Sequence, residues 1–336
     1  MNLQEPPNAI QIEPTEGCNL ACSFCGIAGI RDNKANGPDG KHGKKSSPFK
    51  FMDVITAREL ARQIASAGWT SRIEFAMHGE PTMNQEIENI IKIFREALPN
   101  NSIMMTSNGG GLLKGKGPVT NIKKLMKVGL NVLLLDHYEH SNFVDIIEEK
   151  LNEDKENTSS FDVLYYPLNS KANPHQRRKP HQHHVVITKD ITEASKGNHA
   201  SLNNHCGNAF PPNESAKEKR CAKPFREMSI RWDGNVAICC NDWRGTYKCG
   251  NILEKDINVV WNNKFFKAAR RKLYHRQRDF GPCRGCDATS YRVGLLPDKM
   301  GKKELPLPTI TTDKNIHIAL SGDPYTKPVK RPWEKM

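Results

Sequence analysis

Three cysteines within eight residues constrain this chain more than any other feature. The segment GCNLACSFCG places Cys18, Cys22 and Cys25 as C-x3-C-x2-C. It follows directly on a β-type run at residues 9–14. Three thiols on so short a loop can converge on one small inorganic core. They cannot complete a four-iron cluster, whose fourth iron needs another ligand. A cluster with one open iron is both a Lewis acid and an electron donor. A zinc site that borrows its fourth ligand from elsewhere is the alternative the spacing leaves open.

The residues around this loop read as alternating strands and helices. Further β-type runs fall at 72–77, 102–107, 131–136, 161–166 and 183–188. Helical patterns lie between them at 53–67, 84–97, 120–128 and 141–151; in the first, apolar residues recur at Val54, Leu60, Ile64 and Ala67. A repeating strand–helix order predicts a parallel sheet packed with helices. Six such strands suggest an incomplete α/β barrel, in which loops after the strands build the active site. An open doubly wound sheet would give the same pattern.

A basic stretch at 171–223, with ten Lys/Arg against four Asp/Glu and six of the twelve histidines, bridges to a second unit. There RWDGNVAICC predicts a hairpin turning at Asp233-Gly234, followed by one helix over 259–277. Cys221, Cys239, Cys283 and Cys286 supply four more thiols, a four-cornered set for zinc or an iron–sulfur cluster. Cys240 is the rival of Cys239, because adjacent residues on a strand face opposite ways. Beyond residue 296 the chain is Pro-rich and polar and reads as an extended tail. The expected division is a barrel at 1–205, a small α+β iron–sulfur domain at 206–296 and a flexible tail at 297–336.

Charge and composition bound the setting. The net charge of +13 attracts polyanions or acidic partners without naming one. Basic residues cluster at 31–50, beside the first cysteine motif, and at 264–278, where the ordinary meaning is a solvated helix face. No RNP strand, zinc finger or helix-turn-helix pattern appears. His181, His183 and His184 read as a polar strand entry rather than a metal set. No apolar run is long enough for a bilayer and the start lacks signal-peptide order, so a cytoplasmic protein without a membrane partner is expected.

The first motif resembles that of the radical S-adenosylmethionine (SAM) enzymes, with aromatic Phe24 in place before the third cysteine. The segment His78-Gly79-Glu80-Pro81 is similar to their GGEP segment, with histidine replacing the first glycine. CAKPFREMSIRWDGNVAICCNDW, then GNI at 250–252 and Trp261, resembles the SPASM/twitch extension of the same superfamily. The resemblance spans roughly residues 10–296. It implies a partial (β/α)6 TIM-like barrel, with Cys18, Cys22 and Cys25 holding a [4Fe-4S] cluster. SAM would chelate the open iron and be cleaved to a 5′-deoxyadenosyl radical that abstracts hydrogen from a substrate. Phe24, His78, Gly79, Glu80, Pro81, Ser107, Asn108 and Asp136 would contact SAM. Cys221, Cys239, Cys283 and Cys286 would hold a second, auxiliary [4Fe-4S] cluster; the Gly234-x4-Cys239 count favours Cys239 over Cys240. Cys206 matches a position that is not a ligand in relatives and is expected to be structural or free, and Cys249 is unassigned. A reductant such as flavodoxin or ferredoxin is implied. The expected activity is modification or oxidation of a peptide or protein. The alternatives are dehydrogenation of a small molecule, modification of a nucleic-acid base and, outside enzymology, a zinc-stabilised nucleic-acid-binding module.

Overall fold

The computed structural model describes residues 5–20, 22, 25, 49–138, 141–166, 173–189, 204–207 and 220–288. Phe24, the basic loop apart from Lys50, and the tail at 297–336 lie outside the described residues. Eleven strands are present among those described. They are β1 (Ala9–Ile12), β2 (Thr15–Glu16), β3 (Lys50–Phe51), β4 (Arg72–Phe75), β5 (Ile103–Ser107), β6 (Val132–Asp136), β7 (Asp162–Tyr166), β8 (His184–Thr188), β9 (Glu227–Ile230), β10 (Asn235–Ala237) and β11 (Lys248–Asn251). The helices are α1 (Val54–Ser66), α2 (Ile87–Ala97), α3 (Pro118–Lys127), α4 (Phe143–Glu153), α5 (Lys223–Arg226), α6 (Ile257–Trp261) and α7 (Lys264–Tyr274). Asp53 starts α1 by accepting the Thr56 N–H at 2.7 Å, as an acidic N-cap should.

Nine strands form one sheet in the order β11-β10-β9-β1-β4-β5-β6-β8-β7. From β9 through β7 every pairing is parallel. The main core joins one face of these strands (Ile10, Ile12, Ile73, Phe75, Leu133, Val185) to the helices (Leu60, Ile64, Phe94, Ile122, Ile147). On the opposite face Met104, Val132, Leu134 and Val186 form a small cluster built from strand residues alone. Helices on a single face belong to a barrel wall. A doubly wound sheet would carry them on both.

Three details differ from the reading of the sequence. The sixth barrel strand, β8, inserts beside β6 and leaves β7 at the edge. The pattern of β7 explains this: DVLYY is only half-buried with both ends exposed, whereas HVVIT is buried along most of its length. Second, the sheet does not stop at the expected domain boundary, because β9 pairs in parallel with β1, Ala9 facing Glu227 and Ile12 facing Ile230. The β9–β10 hairpin turns at Asp233-Gly234, where Gly234 adopts φ 79° and the Arg231 N–H meets the Asn235 carbonyl at 2.8 Å. Third, the single helix expected over 259–277 is two. Asn263 breaks it, its side chain accepting the Phe265 and Phe266 N–H groups at 3.0 and 3.1 Å and so capping α7. Nor is the basic run of α7 wholly solvated. Arg270 is buried, its guanidinium 4.0 Å from the Trp261 ring centre and donating to the Pro224 and Trp261 carbonyls.

Candidate active site

The cysteine loop leaves β1 and is clamped against the end of β4. Gly17 and Gly79 form a parallel bridge, and the Glu80 N–H donates to the Gly17 carbonyl at 2.9 Å. A Cβ on Gly79 would fall onto the Thr15 and Gly17 backbone. Only glycine lets the two chains approach this closely.

Glu80 is the hub of the next layer. Its Oε1 accepts from Thr82 N–H (3.0 Å), Thr82 hydroxyl (2.6 Å) and Ser107 hydroxyl (2.7 Å), and its Oε2 accepts from the Asn108 N–H at 2.7 Å. Burial pushes this carboxyl up, and the four hydrogen bonds restrain the shift. Buried Pro81 opens the 3-10 turn Pro81–Met83 that Glu80 caps. Asn108 reaches the cysteine loop: its Nδ2 lies 3.5 Å from the Cys18 sulfur and 2.9 Å from Asn19 Oδ1. The Leu20 N–H adds a second contact to that sulfur at 3.4 Å. Donors aimed at a sulfur favour its thiolate, the form a metal needs.

Asp136 ends β6, with the Tyr138 hydroxyl 3.3 Å from its Oδ2. Burial, then the charges of Asp136, Cys25 and Cys22, push the Tyr138 phenol well up. The structure thus gathers Cys18, Cys22, Cys25, Gly79, Glu80, Ser107, Asn108 and Asp136 at the carboxyl ends of parallel strands.

His78 is turned to another task. Its Nδ1 sits 2.6 Å from Glu13 Oε1 and its Nε2 2.7 Å from the Cys240 carbonyl. Both ring nitrogens are thus engaged within the protein. Burial alone would raise the Glu13 carboxyl, but Arg231 and His78 together hold it below the ordinary carboxylate range. Arg231 also pairs with Glu16. The network ties β1, the end of β4 and the β9–β10 turn into one block.

The second thiol set is buried. Cys283 lies within electrostatic reach of Cys239, Cys286 and Cys221. Cys221 lies within reach of Cys286 and Cys239, and burial pushes its thiol up to about 12. Cys206, expected to be structural or free, is brought near the same place, and burial followed by the neighbouring Cys239 and Cys286 pushes its thiol well up. Trp243 stands beside the first set. Its indole packs against Cys18 and Cys25 and against the rings of His78 (centroids 4.7 Å apart) and His205 (5.1 Å). His183 bonds the Leu130 carbonyl and His184 faces Asp162, which suits a strand entry. Among the described residues no group of three or more His, Cys, Asp or Glu is placed to hold a single metal ion.

A family model for the radical SAM superfamily matches residues 12–153, and one for an iron-sulfur cluster-binding domain, SPASM, matches residues 221–287. The chain is a member of the radical SAM superfamily. It is similar to the S-adenosyl-L-methionine-dependent 2-deoxy-scyllo-inosamine dehydrogenase of Niallia circulans, at 21% identity over 287 residues, 84% of this chain and 94% of that protein. A crystal structure of BtrN in complex with AdoMet and 2-DOIA shares its fold with a TM-score of 0.61 at 18% identity, over 88% of this chain and 99% of that one. BtrN in an open conformation gives 0.55 at 17% identity, over 87% and 97%.

The protein is therefore a radical SAM enzyme, and its cofactors are SAM with a [4Fe-4S] cluster in the first domain and an auxiliary iron–sulfur cluster in the second. The donor chemistry fits. Buried thiols such as Cys221 and Cys283 resist ionisation on their own, and the positive charge of a metal core stabilises them as thiolates. As a radical SAM enzyme it needs a reductant and a substrate. Among the described residues no helix is long and apolar enough to cross a membrane.

Patterns available in the sequence do not single out Glu13, Arg231 or Trp243. Tyr138 was missed although it carried a signal, two residues past Asp136 and so on the same face of an extending strand.

Proposed function

We propose that this enzyme dehydrogenates a small, hydroxyl-bearing molecule held against the helix-free face of the sheet. The observation that carries this reading is a row of buried polar groups on that face. Ser229, Gln11 and Glu74 lie side by side on β9, β1 and β4, with Glu227 two residues before Ser229 and Thr106 two residues after Met104. Gln11 Oε1, Glu227 Oε1, Ser229 Oγ and Thr106 Oγ1 have no hydrogen-bond partner among the described residues. Leaving such atoms buried and unpaired costs about 1–3 kcal/mol each, a cost that a substrate rich in hydroxyl or amino groups would relieve. The dehydrogenase relative, matched over most of both chains, supports the same class.

In this reading Cys18, Cys22 and Cys25 hold the barrel cluster, with Gly79, Glu80, Pro81, Ser107, Asn108 and Asp136 shaping the SAM site and Phe24 beside it. His78 acts instead as the tie to Cys240. Cys221, Cys239, Cys283 and Cys286 hold the auxiliary cluster. When bound, SAM and its cluster supply a radical that removes a hydrogen atom from a C–H bond. The substrate would then give up one electron and one proton, completing a two-electron oxidation, and the iron–sulfur cluster that Cys221, Cys239, Cys283 and Cys286 would hold would take that electron. The reductant is a flavodoxin or ferredoxin, in a cytoplasm reducing enough to keep the thiols free.

The test supplies anaerobic, reduced enzyme with SAM and a panel of cyclitols, aminocyclitols and sugar alcohols. One class should accelerate 5′-deoxyadenosine formation and yield a carbonyl product, and Gln11→Ala or Ser229→Ala should raise KM for it at least tenfold. If short peptides stimulate the reaction and no polyol does, the reading is wrong.

A further inference from the structure

Trp243 belongs to the segment that matches the SPASM domain, yet its indole packs against Cys18 and Cys25 of the first cysteine motif. The residue is only 6% exposed, and its Nε1–H has no hydrogen-bond partner among the described residues. A buried donor without an acceptor has given up its hydration and received nothing in return. Such a group is either a defect of the fold or a donor kept for a ligand.

Two observations favour the second reading. The indole is held in place from several sides. The tilted His78 ring lies 4.7 Å away and the His205 ring 5.1 Å, centroid to centroid. Asp242 fixes the turn that carries it, its Oδ1 accepting the Thr246 N–H (2.9 Å) and hydroxyl (2.8 Å) and its Oδ2 the Tyr247 N–H (2.8 Å). Arg231 donates to the Trp243 carbonyl at 3.2 Å and pairs with Glu16, two residues before Cys18. The neighbouring donors, moreover, are already committed. The Leu20 N–H and Asn108 Nδ2 face the Cys18 sulfur, and Asn108 Nδ2 also reaches Asn19 Oδ1. An indole N–H can only donate, so it suits a molecule rich in acceptors. SAM, with its carboxylate, ribose hydroxyls and adenine nitrogens, is such a molecule.

We propose that Trp243 is a SAM-binding residue supplied by the second domain, its indole N–H donating to an acceptor atom of SAM bound beside Cys18 and Cys25. The inference rests on the reading of Cys18, Cys22 and Cys25 as ligands of the barrel cluster. To the contacts from the ends of the barrel strands it adds one from the segment that carries the auxiliary thiols. SAM affinity then depends on how the two parts are docked.

The experiment uses full-length, anaerobically reconstituted wild type and Trp243→Phe, which keeps an aromatic ring and loses the N–H. Iron content and the Kd for SAM by equilibrium dialysis are measured on both. Ultraviolet resonance Raman spectra are added, in which a tryptophan band reports whether the indole N–H has an acceptor. Trp243→Phe should keep its iron and bind SAM about tenfold more weakly. Adding SAM to wild type should move the tryptophan band toward its hydrogen-bonded position, and Trp243→Phe should show no such change. An unchanged Kd in iron-loaded Trp243→Phe overturns the proposal. So does a wild-type band that SAM leaves in place, including one already moved when the clusters alone are loaded. That measurement needs no variant and decides the question if Trp243→Phe fails to hold its iron. An EPR signal that still responds to SAM in Cys18→Ala/Cys22→Ala/Cys25→Ala instead defeats the ligand reading beneath the proposal.

Discussion

The imidazole of His78 donates to the carbonyl of Cys240 across 2.7 Å, joining residues 162 positions apart in the chain. One end of this bond follows the second barrel strand and the other adjoins a thiol of the auxiliary set. On its far side the same ring meets Glu13, which Arg231 also pairs. The two thiol sets are therefore held by a shared buried network as well as by the β1–β9 pairing.

Removing the ring should loosen that network. His78→Ala leaves Glu13 buried with half its compensation, and breaking a buried pair from one side costs about 3–5 kcal/mol. Urea unfolding should show a loss of that order in His78→Ala, and His78→Gln should restore part of it through the Cys240 carbonyl. A loss below roughly 1 kcal/mol, the level of an exposed pair, would mean the network adds little.

The pH dependence has a definite sign. Glu13 titrates lower in the folded protein than unfolded, so its ionised form stabilises the fold above the ordinary carboxylate value of 4.5. That stability is lost as pH falls through the lower, folded-state value. The stability gap between wild type and Glu13→Gln should be full at pH 7 and narrow progressively below about pH 4. A gap independent of pH would show that Glu13 contributes by packing alone.

Gly79→Ala is predicted to be severe although it adds one methyl group. The methyl has no room against the Thr15 and Gly17 backbone, so the cysteine loop must move away from Glu80 and Asn108. Reconstituted iron should drop toward the auxiliary complement, and SAM cleavage should fall at least a hundredfold. Thermal unfolding should change much less, since the displaced loop lies outside the main core. Wild-type SAM cleavage in this variant would show that the loop does not depend on the clamp.

Iron content separates the two thiol sets. Wild type should bind about eight irons and the Cys18→Ala/Cys22→Ala/Cys25→Ala variant about four. The variant should form no 5′-deoxyadenosine, and neither should Cys22→Ala alone. Removing Cys286 should spare SAM cleavage while abolishing oxidised product. Four irons with one zinc in wild type would contradict the auxiliary assignment.

Arg270 tests whether the basic run of α7 is only surface charge. Burial lowers its pKa to about 9, and its guanidinium lies 4.0 Å from the Trp261 ring centre. Arg270→Ala should cost about 3 kcal/mol through lost packing and the Trp261 and Pro224 carbonyls left without their donor. Arg271→Ala, on the same helix, should change stability by less than about 0.5 kcal/mol. Equal effects in the two variants would contradict the burial of Arg270.

The sequence by itself determined everything that depends on close spacing. Cys18, Cys22 and Cys25 are near one another because seven peptide units cannot separate them far. The periodicity around Leu60 and Ile64 and the Asp233-Gly234 turn likewise predict local structure from local residues. What only the tertiary structure decided are the meetings of distant segments. Nothing in HGEP says that His78 looks toward Glu13 and Cys240 rather than a cofactor, and nothing in SLNNHCGN says that Cys206 arrives near Cys239 and Cys286. The same holds for Trp243, packed against Cys18, Cys25, His78 and His205, and for β8, which takes the place beside β6 ahead of β7. Local patterns record what a residue prefers over the next few positions. Which acceptor a buried imidazole finds, or which sulfur a thiol meets, is set by how the sheet curls and which strands pair, a free energy summed over the whole chain.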